Sequence, residues 1–289
     1  MIRLHMAGGL GNQLFLWAQA HRWVEETGER VLIFSDRFHH SRYTESPLQL
    51  LNQNCEHSIE ITRSDLLGFI LALDDKLSGI NSTPSSSLLR KTLISRHFDS
   101  FSLTEASRLK GKIVSGFFQN ASEIVEQTKT VATEFERALS PKWQSLVERL
   151  PILNSPYQAM HVRRGDYVDS GFGTLSPDYY SAQIRDRLPL IILTEHQSEI
   201  RDFVARWPGA IVLDSSQLNE WETLLVFAHA SLVIAANSTL SWWGAIFGSL
   251  NGSELSTIPE PWYEDIPCPP NNFQILGLHS CSAMFSSVL

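Results

Sequence analysis

The chain has 289 residues, 43% of them hydrophobic, which allows two domains of ordinary size with their own cores and argues against global disorder. Its formal net charge of −8 argues against nucleic acid or an anionic membrane surface as the main partner, so positive charge at any anion site must be concentrated locally. Cys55, Cys268 and Cys281 show no C-x-x-C spacing, so neither a disulfide framework nor a zinc site is expected, and the set fits a reducing compartment. Arg3 and His5 interrupt the first apolar run, and no signal peptide is read there.

Ile2–Met6 alternates and reads as a strand. Ala7-Gly8-Gly9-Leu10-Gly11-Asn12-Gln13 follows as a glycine-rich turn, then a helix from about Leu14 to Glu26. Strand, glycine-rich turn and helix open a Rossmann-like unit. The third glycine of G-x-G-x-x-G is missing, because position 14 is leucine. The turn therefore reads either as a ligand contact or as a tight connection. Gly28 caps the helix, Val31–Phe34 is the second strand, and Asp36 lies just past it. Residues 37–60 read as polar and irregular. Helices are expected at about 64–77 and 86–97, with a Ser-rich linker, Asn81–Ser87, between them. Gly111–Phe118 reads as a strand and Ser122–Leu139 as a helix. Pro141, Pro151 and Pro156 then punctuate the chain, which places a boundary between Leu150 and Tyr157. The expected domains are residues 1–150 and 151–289.

The second half alternates more regularly. Strands are expected at Gln158–Val162, Leu190–Thr194, Ala210–Leu213, Leu232–Ala236 and, last, Leu255–Ile258. Helices are expected at Pro177–Arg187, Ser198–Trp207, Glu220–His229 and from Leu240 onward. Such alternation argues for a parallel sheet covered by helices on both faces. Ser231–Leu250 carries no charge and has the length of a membrane span. Its central Asn237, Ser238, Thr239 and Ser241, preceded by a β-branched run, favour a strand and a helix instead.

Two stretches carry chemistry. Asn237-Ser238-Thr239 starts a helix at the end of a strand. Free N–H groups and the positive dipole end coincide at such a start and suit a phosphate-bearing ligand. The plainer reading is an ordinary helix cap. His161-Val162-Arg163-Arg164-Gly165-Asp166-Tyr167 ends another strand. Side chains alternate there, so His161 and Arg163 share one face and Arg164 takes the other. Arginine suits bidentate contact with phosphate oxygens, and Asp166 can hold one guanidinium in place. The plainer reading is a surface salt-bridge cluster. Both stretches fall at carboxyl ends of strands in one domain, where a nucleotide diphosphate would bridge them.

Five segments occur together in order: GGLGNQLF (Gly8–Phe15), GFFQN (Gly116–Asn120), HVRRGDY (His161–Tyr167), LSPDYY (Leu175–Tyr180) and ANSTLSWWGA (Ala236–Ala245). In this the chain resembles the α-1,2-fucosyltransferases of glycosyltransferase family 11, bacterial type, over about residues 3–263. The resemblance implies an α/β, GT-B fold: two Rossmann-like domains with parallel sheets facing a cleft, the N-terminal one on the acceptor side and the C-terminal one holding GDP-β-L-fucose. It implies inverting transfer of fucose to the 2-OH of a terminal β-galactoside on an oligosaccharide or O-antigen-type glycan. No metal or other cofactor is expected, in keeping with the missing D-x-D motif. The chain departs from the family pattern at Phe172, where many relatives carry His, at Thr194-Glu195, where many are Asp-rich, and at Leu240.

Glycosyl transfer builds positive charge on the sugar and negative charge on the departing diphosphate, and without a metal the protein must supply the opposing field. Arg163 is expected at the β-phosphate, with Arg164 supporting. Ser238, Thr239 and Asn237 would take other phosphate oxygens, and His161 would bond the nucleotide. Gly9, Gly11, Asn12 and Gln13 would contact donor or leaving group. Trp242 and Trp243 read as core. Asp36, Glu45 and Asp169 are candidate bases for the acceptor hydroxyl, alongside a pathway without a strong base. Two alternatives stand: a GT-B enzyme with another nucleotide-sugar donor, and a silent sugar-nucleotide- or glycan-binding module. The expected location is cytoplasmic, with at most loose attachment to the inner membrane face.

Overall fold

A computed structural model describes residues 1–36, 48–52, 58–79, 93–97, 105–168, 172–266, 273 and 277–286. The chain forms two compact units, Met1–Glu134 and Phe135–Leu289. Glu45, Asp169, Cys55, Cys268, the Asn81–Ser87 linker and the first part of the expected 86–97 helix lie outside the described residues.

The first unit holds β1 (Ile2–His5), β2 (Val31–Ser35), β3 (Ile59–Arg63), β4 (Ile94–His97) and β5 (Ile113–Gly116), with helices α1 (Leu10–Thr27), α2 (Gln49–Asn52) and α3 (Asp65–Gly79). Its sheet is parallel throughout, in the order β3-β2-β1-β5-β4. The order reverses between β1 and β5. α1 is buried along most of its length, from Leu10 through Trp23. It begins four residues earlier than the pattern predicts. Gly9 is extended and serves as its N-cap, and the Gln13 N–H already donates to the Gly9 carbonyl at 3.0 Å. Gly11, Asn12 and Gln13 therefore belong to a helical first turn. The turn proper is Ala7–Gly9. Gly8 has φ +75°, and a Cβ there would lie 2.3 Å from Asn12 Nδ2, so only glycine fits.

Two further differences have clear causes. β3 and α2 occupy part of the stretch expected to be irregular. Ile94–His97 is a strand rather than the end of a helix, because it pairs with β5 in the register Ile94↔Ile113 to His97↔Gly116. Sheet pairing outweighs local preference at such a site. The next helix, α4 (Val125–Arg149), runs through Pro141. Its apolar residues Phe135, Leu139, Leu146 and Val147 are buried, and that burial offsets the backbone bond that proline removes. The boundary between the two compact units falls inside α4, at Glu134–Phe135.

The second unit holds β6 (Gln158–His161), β7 (Leu190–Leu193), β8 (Ile211–Leu213), β9 (Leu232–Ile234), β10 (Leu255–Glu260) and β11 (Leu278–Ser282). Its helices after α4 are α5 (Pro177–Ser181), α6 (Arg201–Val204), α7 (Glu220–Ala228) and α8 (Thr239–Leu250). α5 and α6 are shorter than their patterns predict. The sheet order is β11-β10-β9-β6-β7-β8, with every pair parallel. Counted along the chain from β6, this is the doubly wound order 3-2-1-4-5-6 of dinucleotide-binding domains. β10 is not the last strand: β11, a half-exposed Leu-His-Ser-Cys-Ser with no apolar run, pairs beside it.

One face of this sheet packs Met160, Val162, Ile192 and Ile234 against Tyr179, Tyr180 and Phe203. On the α7–α8 side, Gly244 permits close helix contact, since a Cβ there would lie 2.6 Å from the Phe227 ring. Trp242 and Trp243 are fully buried, as expected for core. Among the described residues no helix is long and apolar enough to cross a membrane.

Candidate active site

In the second unit the sheet order reverses between β6 and β9, which pair through Met160↔Ile234. Their carboxyl ends therefore lie side by side at the topological switch point, where open α/β sheets bind ligands. The chain leaves β6 into Val162-Arg163-Arg164 and a short turn, Gly165–Tyr167. It leaves β9 through Ala235-Ala236-Asn237-Ser238 into α8. The two stretches singled out by sequence thus meet at one place.

Alternation along β6 separates the arginines. His161 turns its ring edge to Phe227, 6.0 Å between centroids. Arg164 lies over the Phe203 ring at 5.3 Å, close enough to Tyr180 for its charge to favour the tyrosinate. No carboxylate pairs with Arg164 among the described residues. Arg163 is held between two carboxylates: Nη2 lies 2.5 Å from Asp166 Oδ1, and Nη1 bonds Glu195 Oε2. Its guanidinium also sits 5.0 Å from the centre of the Tyr167 ring. Arg163 Nε is buried without a hydrogen-bond partner. Asp166 is thus one of the two carboxylates that hold the Arg163 guanidinium. Glu195 is a partner that sequence reasoning missed, noticed there only as a departure from the family pattern.

His161 is buried with no partner at Nδ1. Burial, and secondarily the charge of Arg163, lowers its pKa to about 3, so the imidazole is neutral near pH 7. It can serve a ligand only as a neutral donor or acceptor.

Asn237, expected at a phosphate, is fully buried. Its Nδ2 donates to the Phe172 and Gly173 carbonyls, each at 3.0 Å, while Oδ1 has no partner. It fastens the loop before α5 to the end of β9. That loop is packed tightly. The Phe172 ring lies 4.9 Å from Tyr167 and 4.7 Å from Tyr263. Gly173 has φ +72°, and a Cβ there would lie 2.5 Å from Glu264 Oε2. Ser238 is the extended N-cap of α8, yet its side chain makes no cap bond.

In the first unit the switch point lies between β1 and β5. The two motifs that follow these strands are joined there: Gln119 Nε2 donates to Asn12 Oδ1 at 2.7 Å. Gln13 is fully buried, its Nε2 donates to the Gly8 carbonyl at 3.0 Å, and its Oε1 has no partner. Asp36, the one candidate base among the described residues, is buried with Oδ2 3.0 Å from His5 Nε2. His5 Nδ1 lies 3.4 Å from Ser115 Oγ. Sequence reasoning missed His5, whose only signal was a polar residue closing an apolar strand.

No protein-family model matches the chain. Among solved structures, the fold matches the E. coli ADP-heptose lipopolysaccharide heptosyltransferase II with a TM-score of 0.51 at 7% identity, covering 97% of this chain and 90% of that one. Fold and sequence relatives together make this chain a glycosyltransferase of the GT-B class. In sequence it is a distant homologue of an E. coli α-1,2-colitosyltransferase, 26% identical over 289 residues, covering 91% of this chain and 95% of the relative. The E. coli O-antigen biosynthesis glycosyltransferase WbnK is 23% identical over 293 residues, covering 89% and 93%.

Proposed function

We propose that the chain is an inverting α-1,2-glycosyltransferase that moves L-fucose from GDP-β-L-fucose to the 2-OH of a terminal β-galactoside. The observation that carries this reading is that Arg163 and the α8 N-terminus follow adjacent parallel strands at the β6–β9 switch point, with Arg164 on the other face of β6 over the Phe203 ring. Guanidinium groups and a helix start supply positive field where a diphosphate leaves. The family motifs at both strand ends, and the α-1,2 activity named for the colitosyl relative, support the linkage.

Arg163 reaches this state already oriented. Its Asp166 partner is 60% exposed and Glu195 26%, so the Asp166 pair is the weaker and more screened of the two. The diphosphate takes the place of Asp166 while Glu195 keeps the guanidinium aimed. Ser238 and the first turn of α8 receive the remaining phosphate oxygens. Asn237 acts from behind, by fixing the loop that carries Phe172. The N-terminal unit is the acceptor side, and Gly9, Gly11, Asn12 and Gln13 shape its switch point.

The first test is thermal shift with GDP, UDP and ADP, each with and without magnesium. A ligand that binds only the folded state raises its stability with the logarithm of concentration over affinity. A shift with GDP, independent of metal, followed by turnover of GDP-fucose on a β-galactoside, supports the proposal. A shift with UDP points to another nucleotide sugar. Binding without turnover points to a silent module. One second reading has its own support: the relative at 26% identity is a colitosyltransferase, and colitose differs from fucose in lacking the C3 hydroxyl. The ratio of kcat/KM for GDP-fucose and GDP-colitose decides between the two donors.

A further inference from the structure

We propose that His5, backed by Asp36 and reached through the Ser115 hydroxyl, accepts the proton of the acceptor's hydroxyl. The inference rests on the transferase reading above and on the first unit being the acceptor side. His5 ends β1, Ser115 lies on β5, and Asp36 follows β2, so the three groups gather at the carboxyl edge where the first sheet reverses its order. That edge is where such a sheet takes a ligand.

The contacts assign the tautomer. Asp36 Oδ2, 3.0 Å from His5 Nε2, belongs to an acceptor-only group when ionised, so Nε2 carries the hydrogen and Nδ1 holds the lone pair. That lone pair faces Ser115 Oγ at 3.4 Å, a separation at the long end of hydrogen bonding that tightens when a second partner arrives. The Phe34 ring, 5.3 Å away, covers His5 from β2. Among the described residues, Asp36 is a charged group facing His5, and α3 approaches it through Gly68. This makes Asp36 a positioning residue and not itself the base.

The step balances. The acceptor oxygen forms its bond to the sugar C1 as the C1–O bond to the diphosphate breaks, and the leaving oxygen keeps the electron pair. The acceptor's proton passes to Ser115 Oγ while the Ser115 proton passes to His5 Nδ1. The resulting imidazolium is stabilised by the Asp36 carboxylate and later gives its proton to solvent.

The test uses the full chain with GDP-fucose and lactose, and reads kcat/KM for lactose against pH together with the thermal shift by GDP. Positioned general bases contribute about 10²–10⁴-fold. His5→Gln is expected to keep the GDP shift, lose about a hundredfold or more in transfer, and lose the acidic limb of the pH profile. Asp36→Asn is expected to move that limb to lower pH, because the imidazolium loses its counter-charge. Ser115→Ala, which removes a hydroxyl only, keeps the test open should His5→Gln fail to fold, and is expected to lower transfer with the GDP shift intact. An unchanged acidic limb in the folded His5→Gln protein, or an unmoved limb in Asp36→Asn, overturns the proposal while the transferase reading stands. Near-wild-type transfer by Ser115→Ala removes the relay. Absence of both GDP shift and turnover in the unaltered protein overturns the transferase reading, and this inference with it.

Discussion

The side-chain amide of Asn237 donates to the Phe172 carbonyl at 3.0 Å, and equally to that of Gly173. A residue placed by its motif at a phosphate is thus committed to holding a loop. Asn237→Ala leaves two carbonyls without this donor, and lost buried hydrogen bonds cost about 1–3 kcal/mol. Asn237→Asp faces acceptors with an acceptor and is expected to cost more. Denaturant unfolding together with the GDP thermal shift checks this. Loss of GDP binding with no loss of stability would return Asn237 to the ligand.

His161 makes stability depend on pH. Its folded pKa lies near 3 against an ordinary 6.5. Between those values the unfolded chain takes up a proton that the native chain refuses, so this contribution is lost as pH falls below about 6.5. Linkage sets the loss at about 2 kcal/mol by pH 5. His161→Gln has no such proton to refuse. Urea unfolding of both proteins at pH 7.5 and pH 5 is expected to show a smaller drop in the variant.

Gly68 lets α3 approach Asp36: a Cβ there would lie 2.2 Å from the carboxyl carbon. Gly68→Ala forces helix or carboxylate to move, at about 1–3 kcal/mol for overpacking. It is expected to reproduce the low-pH shift of the Asp36→Asn rate profile in a protein that retains Asp36. A rate profile identical to that of the unaltered chain would mean that the carboxylate finds room elsewhere.

Arg163→Ala is expected to lower turnover with GDP-fucose by orders of magnitude while the fold persists. Glu195→Gln keeps the size of the side chain and removes its charge, leaving Arg163 held chiefly by the exposed Asp166. It is expected to lower kcat about tenfold or more through misorientation. If it instead lowers KM for the donor at constant kcat, Glu195 competes with the diphosphate rather than aiming the guanidinium.

Added EDTA is expected to leave turnover unchanged, since Arg163, Arg164 and the α8 start provide the positive field. Activity lost to EDTA and restored by magnesium or manganese would show that these groups are insufficient.

The parts of the fold legible in sequence are those fixed by short-range pattern. Alternation on β6 separates Arg164 from His161 and Arg163 before any coordinates are known, and the β9–turn–α8 unit announces itself through β-branched residues followed by Asn-Ser-Thr. What was hidden depends on distant partners. β4 is a strand because β5 lies beside it, and β11 carries too few apolar residues to reveal itself. Glu195 meets Arg163 across 32 positions. His5 and Asp36 are brought together only by the parallel pairing of β1 with β2. The early start of α1 was hidden for a different reason: glycine at position 9 is permissive, and nothing local tells a turn from a cap.

α4 also bears on how donor and acceptor preferences are exchanged between related enzymes. Phe135 stacks on Phe247 with 4.3 Å between ring centres, within the unit that carries the two arginines. A hybrid joined at the prolines near residue 151 would inherit Phe135, Leu139 and Leu146 from one parent and α8 from the other. Every such graft would test a mismatched core before it tested a sugar preference. Joining ahead of Val125, where the helix begins, keeps that aromatic stack within a single lineage.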